Sequence, residues 1–167
     1  MSIRVASVPG PADRGRLETA IHRRVNEARA GRDTTVIGRC ASGWAVFGHQ
    51  QFVKGYLLLL PDPVVPDLNV LTAESRVQFL LDMSRLGDAL VRTVAPVRVN
   101  YAIFGNLEPA LHAHVIPRYH DEPENLRTQH PWTYDWSRAP AFDPVASAPL
   151  MRALRTELGQ LGALQTP

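Results

Sequence analysis

Asn106-Leu-Glu-Pro-Ala-Leu-His-Ala-His-Val-Ile-Pro-Arg-Tyr119 is the stretch that decides how the rest of the chain is read. His112 and His114 stand two residues apart in a run that otherwise has the composition of a buried strand. Side chains alternate along a strand and each residue advances the chain about 3.3 Å, so both imidazoles should leave one face, roughly 6.5–7 Å apart. Leu111, Ala113 and Val115 should then meet the opposite, apolar face. Two histidines on a rigid strand can act on a phosphate, share a metal, or sit exposed without a role.

Outward from this run, the elements follow from local signals. Asp13 can cap a helix over about 13–30, with Leu17, Ile21, Val25 and Ala28 on one face and Gly31 as its stop. Thr34–Arg39 and Trp44–Phe47 read as strands joined by a turn at 41–43, and Tyr56–Leu60 as an inner strand closed by Pro61, Pro63 and Pro66. Thr72 caps the longest helix, to about residue 94, with Glu74 in its first turn where the helix dipole favours an anion. Its core stripe is Phe79, Met83, Leu86 and Leu90, widened by Leu80 and Val91. Val97–Phe104 and Leu111–Ile116 supply the fourth and fifth strands, and Pro117 ends the last of these. Residues 120–149 read as an ordered excursion without regular structure, and about 148–161 as a C-terminal helix. The spacing of the strands at 34–60 favours hairpins over crossovers, which gives an α+β domain: an antiparallel sheet of about five strands with its helices on one side. One domain over 1–167, with a core at about 34–119, fits the length.

Composition removes several classes of function. The formal charge is +2 and seventeen of the eighteen cationic residues are scattered arginines, which argues against a nucleic-acid surface built by clustering. Cys40 is the single cysteine, so neither an intrachain disulfide nor a cysteine-based zinc site is available. Met1–Gly10 holds no sustained apolar run and Tyr56–Leu60 is far too short to span a bilayer, so a cytoplasmic protein with no membrane partner is expected. P-loop and dinucleotide-binding glycine patterns are missing, as is any serine-hydrolase context around Ser42 or Ser75.

Two chemistries remain for the histidine pair. A neutral imidazole can attack phosphorus and form a phosphoramidate that water later opens, with the second histidine assisting and Asn106 helping to hold developing charge. Alternatively both imidazoles bind a metal, with a third ligand from His120, Asp121, Glu122 or Glu124.

Leu111-His-Ala-His-Val-Ile-Pro-Arg118 resembles the signature of the histidine triad (HIT) superfamily, in which alternating histidines and apolar residues lead into Pro-Arg. Upstream, Ser42-Gly-Trp-Ala-Val-Phe47, Gly55-Tyr-Leu-Leu-Leu-Leu-Pro61, the 72–94 helix and Asn100-Tyr-Ala-Ile-Phe-Gly-Asn106 are similar to the same family, so that the likeness covers about 34–119 and is nearest to a bacterial branch. The resemblance implies that His112 is a nucleophile that becomes nucleotidylated and that His114 contacts the phosphate. It further implies a substrate attacked at the α-phosphorus (a nucleoside phosphoramidate, a dinucleoside polyphosphate or a nucleotide-sugar relative), no obligatory metal or other cofactor, and a homodimer. The chain departs from the pattern in three places. Ala110 stands where the first triad histidine is expected, Leu107-Glu-Pro-Ala110 replaces a longer phosphate-binding loop, and Gly48-His49-Gln50-Gln51 replaces an acidic ribose partner, leaving Gln51 as the ribose candidate. A nucleotide-binding scaffold with weak turnover is the alternative that these departures favour.

Overall fold

A computed structural model describes residues 18–165. Among these residues five strands, β1 (Val36–Arg39), β2 (Gly43–Phe47), β3 (Leu57–Pro61), β4 (Arg98–Ile103) and β5 (Ala113–Arg118), form one antiparallel sheet in the order β1-β2-β3-β5-β4. β5 therefore lies between β3 and β4, with Leu58 and Ala102 directly opposite His114. Pro117 does not end the strand. β3 pairs with β5 only as far as Val115, so Pro117 sits where β5 has a single neighbour and its missing N–H disrupts no second ladder.

Helices cover both faces, not one. α2 (Ala73–Val94) and α4 (Ala148–Gln160) pack on the face that carries Leu57, Leu59, Leu111, Ala113 and Val115. α1 (Ala20–Arg29) lies on the other, where Ile21 and Val25 join a cluster with Val46, Leu58, Leu60 and Ala110. The expected cap Asp13 and the apolar Leu17 lie outside the described residues; α1 begins at Ala20, with Thr19 accepting from the His22 N–H. Gly31 ends it at φ +68°, a left-handed conformation that costs glycine nothing. Thr72 caps α2 through the Ser75 N–H, as its sequence implies.

The buried face of α2 is narrower than its composition suggests. Phe79, Leu86 and Leu90 are buried, but Leu80 and Val91 are exposed. Between the apolar residues lies Asp82, fully buried, which accepts from the Ser42 N–H at 2.9 Å and the Ser42 hydroxyl at 2.7 Å. A carboxylate thus pins α2 to the β1–β2 turn, a contact that hydrophobic periodicity cannot reveal. Residues 120–149 are not wholly irregular: α3 (Glu124–Arg127) and single 3-10 turns at Pro131–Thr133 and Trp136–Arg138 punctuate them. None of the described helices is long and apolar enough to cross a membrane.

Gly43 opens β2 where a Cβ would lie 1.9 Å from the Leu60 carbonyl oxygen, which is backbone and cannot rotate away. Gly43→Ala should lower stability by about 2 kcal/mol or more in urea melts. Gly159→Ala, in α4 with nothing within 4 Å of the added carbon, should instead raise it by about 0.5–1 kcal/mol. Equal effects of the two substitutions would contradict the β2–β3 register.

Candidate active site

Two hydrogen bonds determine which imidazole nitrogens carry protons. His112 Nδ1 lies 2.8 Å from the Ala110 carbonyl oxygen. A carbonyl can only accept, so Nδ1 carries a proton, and in the neutral imidazole the Nε2 lone pair is then free. His114 Nδ1 lies 2.6 Å from the Tyr56 hydroxyl. Burial pushes the Tyr56 hydroxyl well above its ordinary titration range, so it keeps its proton, and because His114 Nδ1 is the one acceptor in reach of that proton among the described residues, the hydroxyl is assigned as the donor. His114 therefore carries its own proton on Nε2. The two neighbouring imidazoles present opposite faces of the same chemistry: one lone pair and one N–H donor.

The rings are closer than strand geometry alone implies, 4.7 Å between centres in an edge-to-face arrangement. Each is only 8% exposed. Burial, and then the neighbouring His112, lower the His114 pKa to about 3, so His114 is neutral at physiological pH.

Both imidazoles line a cavity of about 730 Å³. Asn106 and Glu108 border it, and Tyr56, Phe104, Trp132 and Trp136 form an aromatic wall, with His130 beside them. Tyr56 stacks nearly parallel on His114, and Trp132 meets the same imidazole edge-on. Aromatic faces of this kind suit a flat heterocycle.

The wall depends on Arg118. Its buried side chain donates to both oxygens of Glu122 and to the main-chain carbonyls of Leu126, Arg127 and Gln129. Tyr134 closes the network by donating its hydroxyl proton to Glu122. Further on, the Gln51 N–H donates to Pro140 and the Phe142 N–H to His49, which ties the segment back to the loop after β2. Residues 130–136 are thereby brought to the rim of the cavity.

Of the residues singled out in the sequence, the structure brings His112, His114 and Asn106 together. Gln51 does not line the cavity: its amide donates to the Gly48 and Tyr56 carbonyls and accepts from the Gly55 N–H, which holds the turn before β3. His49 is exposed on that loop. His120, Asp121, Glu122 and Glu124 are absent from the cavity wall, and among the described residues no three His, Cys, Asp or Glu side chains converge as a metal site. Ala110 is 1% exposed within the apolar cluster that includes α1. Tyr56, Phe104 and His130 are not singled out by the sequence as site residues; Trp132 and Trp136 belong to the 120–149 segment, which the sequence reading puts near an interface or the pocket rim, and both border the cavity. For Tyr56 a partial signal existed, because it shares strand parity with Leu58, which pairs with His114.

Residues 30–121 match the family model described as HIT domain. No curated protein matches the sequence. Among solved structures, the chain is similar to a histidine triad protein from Marinobacter aquaeolei, with a TM-score of 0.69 and 21% identity over 86% of this chain and 98% of that one. A histidine triad protein from Bradyrhizobium japonicum gives 0.64 and 25%, over 78% and 94%. A zinc-bound histidine triad family protein from Mycobacterium smegmatis gives 0.58 and 20%, over 80% and 90%.

The depressed pKa of His114 has a consequence for stability. In the unfolded chain this imidazole protonates near 6.5, whereas the folded chain resists protonation down to about 3. Its contribution is complete above the unfolded value and is lost as pH falls from about 6.5 towards 3, at up to about 1.4 kcal/mol per pH unit. Urea melts between pH 7 and pH 4 should show a shallower loss in His114→Gln than in the natural sequence. Identical slopes would contradict a buried, neutral His114.

Proposed function

The chain belongs to the HIT domain family, and from that premise we propose that it is a nucleotide hydrolase or nucleotidyl transferase working through a covalent nucleotidyl-His112 intermediate. Its substrate is a nucleoside phosphoramidate or dinucleoside polyphosphate, attacked at the α-phosphorus. The observation that carries this reading is the pair of opposite tautomers at His112 and His114.

The Nε2 lone pair of His112 forms a bond to the α-phosphorus while the bond to the leaving group breaks and its electron pair departs with that group. The resulting N-phosphoryl imidazole is cationic, and its Nδ1–H remains bonded to the Ala110 carbonyl, which stabilises the charge as it develops. His114 donates its Nε2–H to a non-bridging phosphate oxygen and Asn106 lies beside the same group. Water then attacks phosphorus, His112 recovers its electron pair, and the proton of the attacking water passes to solvent. Tyr56 is a positioning residue that acts through the tautomer of His114. Every step runs on side chains of this protein, with no metal or other cofactor, and both histidine Nδ1 atoms are already engaged by protein groups. The proposed setting is the cytoplasm, where nucleotides are made and consumed.

The second reading, a nucleotide-binding scaffold with weak turnover, is favoured by Ala110, where apolar packing replaces a polar group. One experiment separates the two. Mass spectrometry after incubation with nucleoside phosphoramidates and dinucleoside polyphosphates should find a nucleotidyl adduct on His112. His112→Asn should bind nucleotide, form no adduct and lose more than about 10³-fold in kcat. His114→Gln should lose about 10²-fold, and Tyr56→Phe about tenfold with little change in KM. Turnover in His112→Asn like that of the natural sequence would refute the covalent mechanism, and binding without any adduct would establish the scaffold.

We also propose a homodimer. Among the described residues β4 is an edge strand, with β5 as its one neighbour in the sheet, and an open edge is a template for pairing. Tyr101, whose hydroxyl lies against Gly87 of α2, is exposed, as are Val97 just before β4 and Val77, Leu81 and Val91 along α2. The aromatic residues of 132–136 do not supply this surface, because they pack over the cavity and Arg118 within one chain. Light scattering at micromolar concentration should give twice the chain mass, and Val77→Glu with Leu81→Glu should shift it to the monomer; a monomer for the natural sequence would overturn the dimer.

A further inference from the structure

Departure of a basic leaving group requires a proton, and neither strand histidine can spare one. His112 commits its Nδ1–H to the Ala110 carbonyl and its Nε2 lone pair to phosphorus. His114 is neutral at physiological pH and has one proton, on Nε2; surrendering it would leave an imidazolate. A relay from Tyr56 through His114 would leave a phenolate, which burial opposes. Glu108 borders the cavity as an acceptor, engaged by the Ala20 N–H at 3.2 Å. Asn106 and the indoles offer N–H groups that donate hydrogen bonds but do not ionise near neutral pH. Among the described residues one titratable group of the cavity wall remains, the imidazole of His130.

The backbone of His130 is held while its ring is free. Thr133 donates its N–H, at 2.9 Å, and its hydroxyl, at 2.8 Å, to the His130 carbonyl. On one side the Gln129 carbonyl accepts from Arg118, and on the other Pro131 is buried. Trp132, two residues on, meets His114 edge-on with ring centres 5.0 Å apart, which fixes this stretch beside the histidine pair. The His130 imidazole does not cap the 3-10 turn that it precedes, and among the described residues no hydrogen bond, ion pair or ring contact engages it. Its exposure at the rim gives solvent access to the ring. Histidine gains and loses charge near neutral pH, and its protonated form remains an ordinary neutral imidazole after giving one proton away.

We propose that His130 is the general acid of the first step, delivering its proton to the leaving atom as the bond to the α-phosphorus breaks. The proposal rests on the nucleotidyl-His112 reading and adds a catalytic residue to it. The His112 Nε2 lone pair forms the new bond to phosphorus. The electron pair of the broken bond stays on the leaving atom and takes a proton from the His130 imidazolium, which becomes neutral. Solvent returns a proton to the exposed ring before the next turnover. A basic alkylamine gains much from this donor, and a leaving group that is already a stable anion gains little.

Two substrates test this in the full chain: an adenosine phosphoramidate of an alkylamine, and the para-nitrophenyl ester of adenosine monophosphate, whose phenolate departs without a proton. The readout is kcat/KM, which covers the steps through departure of the leaving group. His130→Gln should lose about 10²-fold on the alkylamine substrate and less than about threefold on the ester. Imidazole added to His130→Ala should restore part of the lost rate on the alkylamine substrate and leave the ester rate unchanged. The position is exposed, and circular dichroism checks that both variants keep the fold. An equal loss on the two substrates would assign His130 to shaping the cavity, and an unchanged alkylamine rate would show it idle; either overturns the proposal while the His112 adduct still forms. Absence of an adduct from both substrates in the natural sequence would instead remove the covalent reading, and with it the step that His130 serves.

Discussion

The two-residue period of β5 is the constraint on which the site depends. β5 has strand neighbours on both edges as far as Val115 and packed layers on both faces, so its side chains, with Leu111 and His112 leading into it, have only two directions available. Leu111, Ala113 and Val115 enter the core beneath α2 and α4. The even-numbered residues face the other way: His112 and His114 line the cavity, Ile116 joins the second apolar cluster, and Arg118 holds the segment that follows. A register slip of one residue would bury two imidazoles under α2 and present alanine and valine to the cavity. Burial on both faces makes such a slip expensive, and the chemistry inherits its precision from hydrophobic packing.

Arg118 extends that precision past the end of the strand. Three main-chain carbonyls and Glu122 converge on one guanidinium, so a stretch with one short helix and two 3-10 turns acquires a fixed course. An arginine is suited to this because its planar fork presents several donors at set angles, which a lysine ammonium does not. The burial of the pair also makes either member hard to remove alone, since the survivor would be left charged and unpartnered. Through this anchor a strand residue controls the placement of Trp132 and Trp136, each held otherwise by a single 3-10 turn, and of His130 just before the first of these turns.

Signals that act over a few residues were legible in the sequence. Thr72 as a cap, Gly31 as a stop, and the alternation around His112 and His114 all depend on neighbours within one turn or one strand. Signals that depend on distant partners were not. The side of the sheet chosen by α1 is set by which face still lacks cover once α2 and α4 are placed. Asp82 lies at a helical position that periodicity assigns to the core, and only the polar turn at Ser42 explains a carboxylate there. Tyr56 looked like the first residue of an inner strand. Its role arises from the β3–β5 register, which brings residues 58 positions apart in the chain to hydrogen-bonding distance. Gln51 was read as a ligand-facing amide because its place after β2 was known but not its three partners, which use it to close a turn.

Ala110 shows how a polar network can contract without leaving its members unsupported. A histidine at this position would need hydrogen-bond partners in a space bounded by Ile21, Val25 and Leu60; alanine needs none and lets α1 pack closely. The adjoining loop takes part in this docking, because Glu108 accepts the Ala20 N–H at the start of α1, where the helix dipole favours a carboxylate. The two remaining histidines do not depend on the missing side chain for their proton positions. His112 is oriented by the carbonyl of residue 110, which any residue there would supply, and His114 by Tyr56. Alanine at position 110 therefore leaves the lone pair of His112 and the N–H of His114 where the backbone and one phenol place them.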